Sequence, residues 1–104
     1  MTTADLYFGR AMAADSSVSD ADWRRFLDEE VTPRFPRGLT VENASGQWNG
    51  ADGVLTREAS KHLIIVLSGA PDEQTKLVAV REAYKRRFHQ ESVLILEYRT
   101  CGSF

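Results

Sequence analysis

Apolar stretches alternate with polar, turn-rich breaks along this chain, and the spacing inside each stretch separates strands from helices. Leu6-Tyr7-Phe8-Gly9-Arg10-Ala11-Met12 is apolar and aromatic-rich, and predicts a first strand. Ala13 to Ser17 is a small, polar connection. Ser19 then reads as a helix N-cap. Asp22 stands three residues on, in the place a capping box gives to Glu, and Val18 and Trp23 have the spacing of a hydrophobic staple. Trp23, Phe26, Leu27 and Val31 fall on one helical stripe. Pro33 ends that helix, because it biases Thr32 away from helical angles. Leu39-Thr40-Val41-Glu42 alternates apolar and polar and opens a second strand, which can run on to Trp48.

Asn49-Gly50-Ala51-Asp52-Gly53 carries two turn dipeptides and is the clearest hairpin signal in the chain. A third strand is expected from Val54 to Leu67, with a bulge near Arg57 to Ser60. Pro71, Asp72 and Glu73 mark the start of a second helix. Its stripe is Leu77, Val80, Tyr84 and Phe88, and its basic end is Lys85-Arg86-Arg87 followed by His89. Val93 to Tyr98 is the last strand. Residues 1–4 and 100–104 read as tails of one α+β domain.

The order β-α-β-β-α-β predicts a ferredoxin-like fold: a four-stranded antiparallel sheet with two helices on one face. The opposite face of such a sheet is normally wet. Two strands depart from that rule. Ile64 and Val66 oppose Leu63, Ile65 and Leu67, while Leu94, Leu96 and Tyr98 oppose Val93 and Ile95. Each such side chain left in water forgoes about 1.5–3 kcal/mol. A second copy is the simplest cover, which would make a dimeric α/β barrel. The other arrangement leaves the face only partly apolar, under the tail and the long hairpin.

Composition narrows the function classes. With 42% apolar and 27% charged residues the chain has ordinary globular composition. The net charge of −2 gives no basic footprint for nucleic acid and no pull toward an anionic membrane. A single cysteine, Cys101, allows no intrachain disulfide. The first residues lack the pattern of a signal peptide, and the longest apolar run, Leu63 to Leu67, is far too short to span a bilayer. The expected location is cytoplasmic.

No phosphate loop, metal-ligand spacing or nucleophile elbow is present, so neither a metal nor a cofactor is expected. The candidate chemistry lies on the two arms of the hairpin: Gln47 and Trp48 on one, Arg57, Glu58 and Lys61 on the other. An amide, an indole, a cation and a carboxylate close together can bind and orient a small polar ligand. Glu58 would serve as acid/base and Arg57 would stabilise developing negative charge. The plain alternative is a solvated hairpin with a surface ion pair of little worth. Tyr7, Arg34, Tyr84 and His62 are further candidates. Tyr84 also belongs to the helix stripe, and His62 beside Lys61 also reads as an ordinary half-buried histidine.

Several of these stretches together resemble a family of small bacterial proteins of unknown function. They are Leu6 to Gly9, Trp23 with Phe26, Thr32 to Val41, Gly46-Gln47-Trp48, Arg57 to Lys61, and Tyr84-Lys85 with Phe88 and Gln90 to Val93. The likeness spans nearly the whole chain, and the T-P-R-F-P-x-G-L-T-V run is its most specific part. Some members of that family resemble secreted or lipid-anchored proteins, whereas this chain starts almost directly at its first strand. The resemblance implies no activity.

Three functions follow as expectations. The first is a cofactor-independent enzyme acting on a small organic molecule in a barrel pocket, of isomerase, cyclase or monooxygenase type. The second is a non-catalytic module that binds a small molecule or a protein. The third is a structural dimer with the hairpin as a docking arm.

Overall fold

In the computed structural model, which describes residues 1–13 and 16–104, β1 (Thr2–Gly9) leads to α1 (Asp20–Phe26). A single π turn (Leu27–Val31) extends α1 before β2 (Thr40–Asn49). Then follow β3 (Leu55–Leu67), α2 (Glu73–Phe88) and β4 (Leu94–Arg99). The strands lie in the order β2-β3-β1-β4 and every neighbouring pair is antiparallel. This is the expected ferredoxin-like α+β arrangement, with two crossovers sharing a central hairpin. Positions 14 and 15 of the expected connection lie outside the described residues.

Local chemistry explains the helix ends. The Ser19 hydroxyl accepts from the Asp22 N–H at 3.0 Å, and both staple residues, Val18 and Trp23, are buried. At the far end of α2, His89 adopts the left-handed conformation (φ 53°) that terminates the helix. The hairpin turn closes through Gly50 N–H to Val54 O at 3.1 Å and Val54 N–H to Asp52 Oδ1 at 2.9 Å. Gly53 sits at φ 78°, where any side chain would be strained.

Three boundaries differ from the sequence expectation. β1 starts at Thr2 rather than Leu6, so Thr2 to Ala4 are sheet and not tail. Its small and polar residues are held by ladders on both sides, to β3 and to β4. The same strand stops at Gly9, and Ala11 makes only an isolated bridge to Ser17. No bulge interrupts β3: its register to β2 runs unbroken from Thr40 opposite Ile64 to Asn49 opposite Leu55.

One face of the sheet packs on the helices. Ala4, Leu6, Phe8, Leu63 and Ile65 meet Trp23, Phe26, Leu77, Val80, Tyr84 and Phe88, all buried. The aromatic rings meet edge-on or tilted, as their quadrupoles favour: Phe8 to Tyr84 at 4.8 Å and Phe26 to Tyr84 at 5.1 Å between centroids. Beyond Ala59, which still receives Arg10 N–H at 3.1 Å, the β2–β3 hairpin projects as a two-stranded arm. The arm lengthens the molecule to 42 × 27 × 22 Å and raises the radius of gyration to 14.4 Å. A compact chain of this length would give about 13 Å. Among the described residues, no helix is long and apolar enough to cross a membrane.

The link from β3 to α2 is pinned by Glu73, a buried carboxylate. It accepts from Ser68 N–H at 2.9 Å, Gly69 N–H at 2.8 Å and the Ser68 hydroxyl at 3.1 Å. Burial alone would push this carboxyl up, but the donors of Ser68, Gly69 and Ala70 outweigh it and hold it below the usual glutamate range. A depressed folded-state value stabilises the fold above the unfolded value, about 4.3, and that contribution is lost as pH falls through the folded value. Glu73→Gln is therefore expected to cost about 1.5–3 kcal/mol at pH 7. In urea unfolding its deficit against wild type should shrink on acidification below pH 4. A deficit that is flat with pH would remove the carboxylate from the account.

Candidate functional site

Successive side chains on a strand point to opposite faces. The helix face takes Phe8 and its partner Lys61, so Ala59 and Arg57 share that parity. The other face takes Tyr7 opposite His62 and Gly9 opposite Ser60, and therefore Glu58. On β2, Gly46 pairs with Glu58 and Trp48 with Thr56. The register thus divides the expected cluster. Glu58 and Trp48 share the open face, while Gln47, which pairs with Arg57, has the helix-side parity of Arg57 and Lys61.

What the open face builds is a cleft of about 610 Å³, where the foot of the hairpin arm meets β1 and the start of β4. Tyr7, Gly9, Gln47, Trp48, Glu58, Ser60, Gln90 and Leu94 line it. Glu58 is half-buried there. Its carboxylate fills the space above Gly9, since a Cβ built on Gly9 would lie 1.8 Å from Glu58 Oε1. Among the described residues, the Glu58 carboxylate forms no hydrogen bond and no ion pair. Gln90 donates from Nε2 to Ala11 O at 2.8 Å and to Phe88 O at 3.3 Å. Its Oε1 then faces the same Gly9 position, 3.7 Å from that Cβ.

The remaining candidates lie elsewhere. Exposed Arg57 donates to Gln47 Oε1 at 3.4 Å, outside the cleft lining, and so is not placed to stabilise charge beside Glu58. Lys61 donates to Asn43 Oδ1 at 2.5 Å and to Asp20 Oδ1 at 3.4 Å. The Lys61 hydrogen bond and charge, with Arg10 behind them, hold the Asp20 carboxyl below its ordinary range. Arg34 is tied to Glu30 at 2.9 Å, just beyond the first helix. Tyr84 is core. Its hydroxyl donates to Gly9 O at 2.6 Å, so it supports the cleft floor from beneath. Burial pushes the Tyr84 phenol far up; Arg10 opposes this and Glu58 adds to it.

His62 belongs to a second polar group on the open face. Its ring stacks on Tyr7 at 4.4 Å with planes 8° apart, and its Nε2 lies 3.2 Å from Asp5 Oδ2. Tyr98 donates to the same Asp5 oxygen at 2.9 Å. Asp5 is 7% exposed, and its Oδ1, like His62 Nε2, is buried without a hydrogen-bond partner. Asp5 escaped the sequence reading because it sits beside a stretch read as a tail. The signal was there: Thr3, Asp5 and Tyr7 alternate with Ala4, Leu6 and Phe8. The hydrogen bond to Asp5, then burial, then the Asp5 charge push the Tyr98 phenol up. Asp5→Asn is expected to bring one tyrosine ionisation to lower pH when tyrosinate absorbance is followed. An unchanged titration curve would mean that the contact does not persist in solution.

The fold places this chain among the ferredoxin-like α+β proteins. A family model described as "Protein of unknown function (DUF3574)" matches residues 3–104, and the chain belongs to that family. No curated protein matches it. Similar solved structures include two of a phage SAM lyase. One is a phage SAM lyase in complex with S-methyl-5′-thioadenosine, at TM-score 0.73 and 20% identity over 93% of this chain and 79% of that one. The other is a phage SAM lyase in the apo state, at TM-score 0.70 and 20% identity over 93% of this chain and 78% of that one. At this identity the likeness shows a shared fold.

Proposed function

We propose that this protein is a cofactor-independent enzyme acting on a small organic molecule held in the cleft beside the hairpin, with Glu58 as its acid/base. The observation that carries the reading is the Glu58 carboxylate: half-buried, without a partner among the described residues, and set between Tyr7 and Trp48. A carboxylate in that position can exchange a proton with a bound molecule without first breaking an ion pair. The aromatic side chains supply a flat apolar wall for the rest of the ligand. A protein of the same fold described as a SAM lyase, holding S-methyl-5′-thioadenosine, supports a small molecule as the occupant.

The same reading places a second copy on the open face. Val66, Leu94, Leu96 and Tyr98 are each 45–54% exposed there, in continuity with the cleft. Covering them would close the cleft over its ligand and exclude water from Glu58.

A non-catalytic binding module is the second reading. It is favoured by Trp48, which is 56% exposed and so leaves the cleft open in the single chain. Ligand-observed NMR with a small-molecule panel that includes SAM, followed by product analysis, separates the two. Hits should be lost with Trp48→Ala. Glu58→Gln should keep binding an uncharged hit while its turnover falls by about 10²-fold or more. Turnover unchanged in folded Glu58→Gln would sink the catalytic assignment, and binding with no turnover of any hit would move the module ahead.

A further inference from the structure

The charges around the cleft are lopsided. Among the described residues two carboxylates line it, Glu58 and Glu91, with the His89 imidazole at the end of α2, and neither lysine nor arginine does. The guanidinium of Arg10, next to Gly9 in the chain, is already committed: it donates to Val18 O at 2.9 Å and pairs with Asp20 at 2.9 Å. Arg57, the cation expected beside Glu58, is turned toward Gln47. Two oxygen acceptors, the Glu58 carboxylate, which takes the place of a side chain on Gly9, and the Gln90 amide, come together beside Gly9. Both Gln90 N–H contacts go to backbone carbonyls, so its oxygen is the end left for a ligand. Tyr7, one face of which is stacked on His62, and Trp48 also line the cleft, and aromatic faces carry a negative quadrupole. An anionic ligand would meet two like charges with no lysine or arginine in the described lining, His89 being its one basic side chain. A positive one would meet a free carboxylate, an amide oxygen and two π-systems.

We infer that the cleft is selective for an organic cation, an onium or ammonium centre seated against the Glu58 carboxylate and the Gln90 amide oxygen beside Gly9, with a flat apolar group against Tyr7 and Trp48. The inference rests on the reading of this cleft as the small-molecule site and names the substrate class that site takes. It also accounts for Gly9, because any side chain there would occupy the place of the Glu58 carboxylate.

Three probes on one nucleoside frame test it by calorimetry and Trp fluorescence at pH 7: 5′-dimethylsulfonio-5′-deoxyadenosine, 5′-amino-5′-deoxyadenosine and neutral S-methyl-5′-thioadenosine. At least one of the two cations should bind tenfold or more tighter than the thioether. Tighter binding by both would mean that charge as such is read, and by one that its onium or ammonium chemistry is read as well. The preference should collapse toward unity in Glu58→Gln. It should collapse again in Gly9→Ala, where the new methyl displaces a flexible carboxylate end and the backbone needs no change; far-UV circular dichroism checks that both variants fold. Equal affinities for all three probes in wild type would overturn the inference, as would a preference that survives in folded Glu58→Gln. Failure of the catalytic reading looks different: cation selectivity intact, with no product formed from any bound compound.

Discussion

Phe26→Ala should lose about 3–5 kcal/mol of folding stability. Phe26 is fully buried at the centre of the aromatic core. Its ring meets Tyr84 at 5.1 Å, Trp23 at 5.9 Å, and Phe8 and Phe88 at 6.0 Å. The Arg87 guanidinium lies 5.6 Å above it, an additional cation–π contact. Truncation removes the transfer free energy of the ring and leaves a cavity that four rigid neighbours can fill only partly. Domains of this size have total stabilities of about 5–15 kcal/mol, so the variant should be marginal at 25 °C. Urea unfolding followed by Trp23 fluorescence would show the midpoint falling steeply, with Phe26→Leu in between. A loss under about 1 kcal/mol would mean that the core relaxes around the gap and that these rings are not close-packed.

Ile64→Glu should turn a dimer into a monomer. Ile64 lies at the middle of the open face, opposite Asp5 on one side and Thr40 on the other. A carboxylate there would sit beside Asp5, which is already desolvated, and would face the proposed second copy. Burying that unpaired charge costs several kcal/mol, more than an interface of this kind can absorb. Light scattering over a concentration series should give twice 11.7 kDa for wild type and 11.7 kDa for the variant. A wild type that is monomeric at every concentration would remove the second copy from the account. The cleft would then be an open groove beside the hairpin, and a binding module would fit it better than an enzyme that must exclude water.

The helix signals near Ser19 and Pro71, the turn dipeptides at Asn49-Gly50 and Asp52-Gly53, and the two-sided apolar pattern of β3 and β4 were all legible in the chain. Each rests on interactions within a few residues: a cap, a preset φ, a period of two or 3.6. What the sequence left ambiguous depended on contacts far apart in the chain. Thr2 to Ala4 look like a tail, yet they are held between Ile65 to Leu67 and Glu97 to Arg99. Arg57 to Ser60 look like a bulge, yet the β2 partner pairs with every one of them.

The candidate site divides in the same way. Gln47, Trp48 and Glu58 were found because polar and aromatic residues stand out on a hairpin. Arg57 and Lys61 came with them through closeness in sequence alone, and strand alternation gives them, with Gln47 opposite Arg57, the parity of the other side of the sheet, although Gln47 still borders the cleft. Gly9 and Gln90 carry no local signal, and Asp5 carries only the alternation that runs from Thr3 to Phe8. Asp5 becomes notable through burial beside His62 and Tyr98, Gly9 through the carboxylate that occupies its missing side chain, and Gln90 through its carbonyl contacts. Local chemistry in the sequence therefore settled the elements, their order and the apolar character of both sheet faces. Tertiary register decided which charged groups share a face, because one residue along a strand reverses the direction of a side chain and only long-range pairing sets the count.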